Sequence, residues 1–89
     1  MAEVVWTREA LTQLDLIRAY IGQFDPAAAG RLTSRLLKAG DSLRDFPNRG
    51  RPIEDGLREL PTVAPYVIQY EVDGLRISIL GVWHGSQRR

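Results

Sequence analysis

Apolar and polar positions alternate most sharply between Pro65 and His84, in the string PYVIQYEVDGLRISILGVWH. Two runs rich in β-branched and aromatic residues flank Asp73-Gly74. An Asp-Gly pair between such runs predicts a hairpin, because a type I′ turn needs positive φ at both central residues. With that two-residue loop, Val72 faces Leu75, Tyr70 faces Ile77, Ile68 faces Ile79 and Tyr66 faces Gly81. This face is almost wholly apolar and requires cover. The opposite face sets Glu71 beside Arg76 and Gln69 beside Ser78, turns apolar at Val67 and Leu80, and ends at His84.

The cover comes from earlier in the chain. Glu3 to Trp6 is a short β-rich run, read as a first strand. Thr7 follows as an N-cap, with Glu9 in the first turn to suit the helix dipole. From Arg8 to about Gln23, apolar residues recur at Ala10, Leu14, Ile17, Ile21 and Phe24, with Leu11, Leu16 and Tyr20 widening the stripe. That spacing is helical. Asp25-Pro26 stops this helix and starts the next, Asp as N-cap and Pro at the first helical position. The second stripe runs Ala29, Leu32, Leu36, Ala39, Leu43, Phe46, ending before Pro47. Gly30 and Gly40 weaken this helix by roughly 1 kcal/mol each, in exchange for close backbone approach. So tight a link makes the helices an antiparallel hairpin.

Asn48 to Gly56 reads as loop, Leu57 to Leu60 as a short strand ended by Pro61, and Gly85 to Arg89 as a frayed tail. The order β-α-α-β-β-β predicts an α+β fold, an antiparallel sheet with an N-terminal helical hairpin packed on one face. Eighty-nine residues make one domain, 1–89.

Composition removes several function classes. The absence of cysteine excludes disulfides and thiolate metal sites and suits the reducing cytosol. The longest apolar run is far too short for a bilayer, and no secretory leader pattern opens the chain. The expected location is the cytoplasm, with no membrane partner. A net charge of +1 gives no bulk case for nucleic-acid binding. Eleven of the twelve basic residues are arginine, which suits forked contacts with phosphate or carboxylate. High-GC coding bias gives the same skew.

Three arginines, Arg49, Arg51 and Arg58, cluster on a glycine- and proline-rich loop and could grip phosphate. Interleaved Glu54, Asp55 and Glu59 make a solvated loop with local ion pairs an equal explanation. His84 is the single histidine, placed by the hairpin register on the face of Ser78 and Arg76, opposite Trp83. A lone histidine can act as general acid or base. It can equally be a surface or packing residue at a strand end. With no second ligand of its kind nearby, no metal site and no cofactor are expected. Tyr66 and Tyr70 read as core, and Trp6 and Trp83 as core or interface. No dinucleotide, phosphate-loop, zinc-protease or serine-triad motif is present.

Taken together, VVWTREALTQLDLIRAYI, SLRDFPNRGRPIEDGLREL and PYVIQYEVDGLRISILGVWHG, in this element order, resemble the RelE/ParE superfamily of toxins from type II toxin-antitoxin systems. The resemblance spans essentially the whole chain. It implies a helical hairpin on a twisted sheet and a cognate antitoxin that binds the toxin in a hetero-oligomer. The apolar residues at the edges of the hairpin, Leu11, Leu16, Tyr20 and Leu37, are the surface such a partner would bury.

The superfamily divides by mechanism. RelE-like members cut mRNA in the ribosomal A site and place an arginine directly after the tyrosine that opens the third strand. Here Tyr66 is followed by Val67, which can neither bind a phosphate nor stabilise charge on it. The resemblance is closer to ParE-like members, which act on DNA gyrase and end in a string similar to Val82-Trp83-His84. It implies a non-enzymatic toxin with Trp83, His84, Arg88 and Arg89 meeting the target. The alternatives are a ribosome-dependent endoribonuclease using His84 with Arg51 and Arg58, and a non-toxic module that only binds its antitoxin.

Overall fold

A computed structural model describes residues 2–87. Its order is β1 (Glu3–Trp6), α1 (Arg8–Gly22), α2 (Pro26–Asp41), β2 (Arg51–Pro52), β3 (Leu57–Val63), β4 (Tyr66–Asp73) and β5 (Arg76–His84). Short 3₁₀ turns follow α2, β2 and β5. The α+β fold is the expected one: two helices lie on one face of a single sheet ordered β1-β5-β4-β3-β2. The sheet is mixed rather than antiparallel, because β1 pairs parallel to β5, with Glu3 beside Arg76 and Trp6 beside Ile79. The two helices supply the long crossover that a parallel pair requires.

Both helix starts follow the expected chemistry. The Thr7 hydroxyl accepts from the Ala10 N–H (3.2 Å), and an Asp25 carboxylate oxygen accepts from the Ala28 N–H (3.1 Å). Ala10 and Leu14 of α1, with Leu36 and Ala39 of α2, face inward. They meet Leu60, Ile68, Tyr70, Ile77, Ile79 and Val82 of the sheet in one core. Each large aliphatic side chain so buried contributes on the order of 1.5–3 kcal/mol. Gly40 permits the closest approach: a Cβ there would run into the Trp6 indole and come within 2.8 Å of Ile79 Cδ1. Gly30 has open space around it and serves no such purpose. The two phenylalanines that end the helical stripes, Phe24 and Phe46, are exposed, because each lies beyond its α-helix in a turn. No helix among the described residues is long and apolar enough to cross a membrane.

Three local expectations change. Pro61 does not end β3; the strand runs on to Val63 through an irregular pairing after Leu60, where an imino nitrogen is tolerated. The loop before it contains the two-residue β2. In the hairpin, the loop residues are Gly74-Leu75, and Asp73 pairs with Arg76. Gly74 takes the positive φ (63°) and neither Asp73 nor Leu75 does, the type II′ pattern. A type I′ turn would have forced Asp73 into the left-handed region, whereas this one asks that only of glycine. Val72 therefore pairs with Ile77 and Tyr70 with Ile79, each two residues from the expected partner. The same residues still face the helices, because a shift of two conserves the face.

Beyond Tyr70 the register changes again. Gln69 pairs with Gly81 and Ile68 with Val82, so Leu80 is an extra residue, a β-bulge. The inserted residue brings His84 opposite Tyr66 and Trp83 opposite Val67. His84 thus leaves the face of Ser78 and Arg76, where the unbroken alternation had put it.

Candidate functional site

The bulge sets the end of β5 against α1. Between them lies a groove of about 540 Å³. From α1 come Gln13, Leu16, Ile17 and Tyr20; from the strands come Tyr66, Val82, Trp83 and His84. Leu16 and Tyr20 are 64% and 62% exposed, one helical row apart, and Phe24 (72% exposed) extends that row by stacking edge-on to Tyr20 at 5.5 Å between centroids. A contiguous apolar strip of this kind is unusual on a domain that works alone.

His84 sits at the groove's strand end, its ring edge-on to Tyr66 with centroids 5.6 Å apart. Its Nδ1 accepts from the Ser86 backbone N–H at 3.1 Å and lies 2.8 Å from the Ser86 hydroxyl. A backbone N–H can only donate, so Nδ1 carries the lone pair, and the neutral ring holds its proton on Nε2. The Trp83 indole Nε1 is buried with no hydrogen-bond partner among the described residues, as is that of Trp6.

The arginine loop forms a separate assembly. Arg49 donates to the Ser42 hydroxyl (2.7 Å) and to the Thr62 hydroxyl (3.3 Å). Arg58 donates to the Gly50 carbonyl at 2.6 Å. Arg51 donates through Nε and Nη2 to one oxygen of the buried Glu59, at 3.3 and 3.1 Å. Each guanidinium is thus committed to the loop or its neighbours. Beneath them Tyr70 is fully buried; its hydroxyl accepts from the Gly50 N–H and donates to the Pro47 carbonyl, both at 2.8 Å. Burial pushes the Tyr70 phenol above its ordinary value, outweighing the Gly50 hydrogen bond and the Arg58 and Arg49 charges that pull it down. A second depression of about 770 Å³ lies here, lined by Ser42, Pro47 and Arg49 among others. Although larger, it presents an arginine and a serine already bonded to each other, so the α1–β5 groove is the better candidate.

These two regions are not brought together. His84 pairs with Tyr66, whereas Arg58 pairs with Tyr70, four residues along β4 and about 13 Å away at the usual rise. Arg51 lies further out on β2. Among the described residues, no lysine or arginine lines the groove. Val67, which follows Tyr66 on β4, is buried. Of the residues expected to meet a partner, Leu16 and Tyr20 share the groove with Trp83 and His84, while Leu11 (44% exposed) and Leu37 (36%) lie outside its lining. Arg88 and Arg89 fall outside the described residues. No cluster of three or more metal-ligating side chains occurs among the described residues.

Comparison with known proteins supplies the remaining constraint. The profile of the family described as ParE toxin of type II toxin-antitoxin system, parDE, matches residues 4–89. The chain belongs to this toxin family. It is 52% identical over 88 residues to Toxin RelE2 of Caulobacter vibrioides, covering 98% of this chain and 99% of that one. Toxin RelE1 of the same organism is 38% identical over 68 residues, 73% of each chain. A solved structure titled Chromosomal ParDE TA system from P. aeruginosa superposes with a TM-score of 0.85 at 28% identity, covering 94% of this chain and 96% of that one. The chain is thus a toxin of the RelE/ParE superfamily.

Sequence reasoning missed Gln13 and the turn of His84 toward α1. Both had signals. Gln13 is a polar residue on the core-facing row of α1, with Ala10, Leu14 and Ile17, and a polar group placed against a core implies a partner. Gly81 interrupts a strand-like run, which is a common mark of a bulge.

Proposed function

We propose that this toxin arrests growth by acting on DNA gyrase, contacting it through Trp83, His84 and the terminal arginines Arg88 and Arg89. A cognate antitoxin neutralises it by burying Leu16 and Tyr20, with Leu11 and Leu37 at the margins of the contact. One observation carries the choice of target: among the described residues, those lining the groove at His84 include no arginine or lysine. Cleavage of an RNA phosphodiester builds negative charge on the phosphorus oxygens, and a site lacking a cation for that charge forfeits the largest part of its catalysis. A surface of three aromatic side chains, Tyr20, Tyr66 and Trp83, and a histidine is suited to protein contact instead.

A second reading keeps some support. The His84 Nε2 proton belongs to a ring that could serve as a general acid, and one relative bears the name RelE2. In this reading the toxin cuts mRNA on the ribosome. The two separate on induction in a bacterial host and with purified components. Action on gyrase predicts filamentation, DNA-damage signalling and plasmid DNA trapped as cleaved complexes with purified gyrase. Transcripts cut at codon positions, with gyrase unaffected, would overturn it. Growth without arrest, with the antitoxin still bound, would leave an antitoxin-binding module. His84→Ala should weaken arrest by gyrase and abolish arrest by RNA cleavage.

A further inference from the structure

Past Ile79 the outer edge of β5 loses its neighbour. β1 ends at the Trp6–Ile79 pair. Thr7 then closes onto the Ile79 carbonyl with both its N–H (3.1 Å) and its hydroxyl (2.8 Å), and the chain leaves as α1. An unpaired strand edge exposes backbone donors that must find partners. Val82 is 1% exposed, so water cannot serve its N–H. Gln13 does so: its side-chain oxygen accepts from the Val82 N–H at 2.7 Å. Gly81 leaves the room, since a Cβ there would come within 2.9 Å of that oxygen and 2.6 Å of the Trp83 ring. This contact therefore sits directly beside the bulge that turns the last residues of β5, and one residue before Trp83.

We propose that Gln13 is a positioning residue for the toxic surface. Its side-chain carbonyl replaces the strand missing beside Val82, and so fixes Trp83 and His84 in the groove against Tyr66. Gln13 acts through Val82, by accepting a hydrogen bond, and the inference rests on the reading that Trp83 and His84 meet the target.

The acceptor is what matters, so the test compares Gln13→Met, of similar length but without it, with Gln13→Glu, which retains it. The full chain is released from its antitoxin complex for amide exchange and proton NMR, and each variant is induced in cells to score arrest, alongside Trp83→Ala. Gln13→Met should speed Val82 amide exchange about tenfold or more, the scale of a buried donor left unpaired. It should also move the His84 ring resonances and relieve arrest. Gln13→Glu should stay near the wild type in all three. Unchanged exchange in Gln13→Met, or faster exchange with His84 resonances unmoved, would overturn the positioning role. Moved resonances with full arrest in both Gln13→Met and Trp83→Ala would uphold it and overturn the target surface instead. If methionine packs poorly, Gln13→Ala removes the acceptor without added bulk and gives the same comparison.

Discussion

Replacing Tyr70 with phenylalanine removes one buried oxygen and both hydrogen bonds that tie the loop before β2 to the sheet. The ring remains, so its apolar packing is conserved and the change isolates the hydroxyl. A neutral hydrogen bond contributes about 0.5–1.5 kcal/mol net, and a buried donor left unpaired costs about 1–3 kcal/mol. Gly50 is buried, so its N–H falls in the costly class, while Pro47 is half-buried and its carbonyl can recover water. The Arg58 bond to the Gly50 carbonyl and the Arg49 bonds to Ser42 and Thr62 still tether the loop. A loss of about 2 kcal/mol follows. For a domain of this size that lowers the melting temperature by roughly 8–16 °C. In urea the midpoint should fall with the slope unchanged, because the exposed area on unfolding is the same.

The same residue predicts a pH dependence. Burial holds the folded-state pKa of Tyr70 above the ordinary 10.0. The unfolded chain therefore gives up this proton first as pH rises past 10. Stability from Tyr70 is fully present below that value and is lost as pH climbs through the folded pKa. In Tyr70→Phe this component of alkaline unfolding vanishes, so the two proteins should converge in stability above pH 10. A variant within about 0.5 kcal/mol of the wild type at neutral pH, the threshold for an inconsequential surface change, would refute this account of the loop.

Two further perturbations follow from the packing. Gly40→Ala drives a methyl group into the Trp6 ring and against Ile79, and overpacking of this kind costs about 1–3 kcal/mol; Gly30→Ala, with open space around it, should instead stabilise by several tenths up to about 1 kcal/mol, both read by thermal melting. Thr7→Ala removes the cap of α1 together with the hydroxyl's bond to Ile79 and should cost about 1–2 kcal/mol, whereas Thr7→Ser should recover most of it in urea titration.

Much of this was legible in the chain. Thr7, Asp25 and Pro26 mark helix starts because their chemistry is local, and the stripes of α1 and α2 follow from a period set by one helix alone. The hairpin faces were legible for the same reason, since alternation survives a shift of two residues. Three features were not. The parallel pairing of β1 depends on where the two helices deliver the chain, which no local pattern encodes. The type II′ loop differs from the expected one only in which residue bears positive φ. The bulge at Leu80 sits beside a contact between Val82 and a glutamine 69 positions earlier, which no local pattern shows, so alternation alone carried His84 to the wrong face. The arginines were visible as a cluster, but their engagement with Glu59, Ser42, Thr62 and the Gly50 carbonyl was a matter of folded geometry.

The pairing of Glu3 with Arg76 closes the molecule between its two extremities. Contacts that distant in sequence form slowly, because the entropy of closing so long a loop is lost before the pairing offsets it. A nascent polypeptide released prematurely, before its last strand is made, therefore has nothing for its first strand to join and no wall opposite Leu16 and Tyr20. Incomplete translation of this gene thus yields fragments that lack the groove between α1 and β5.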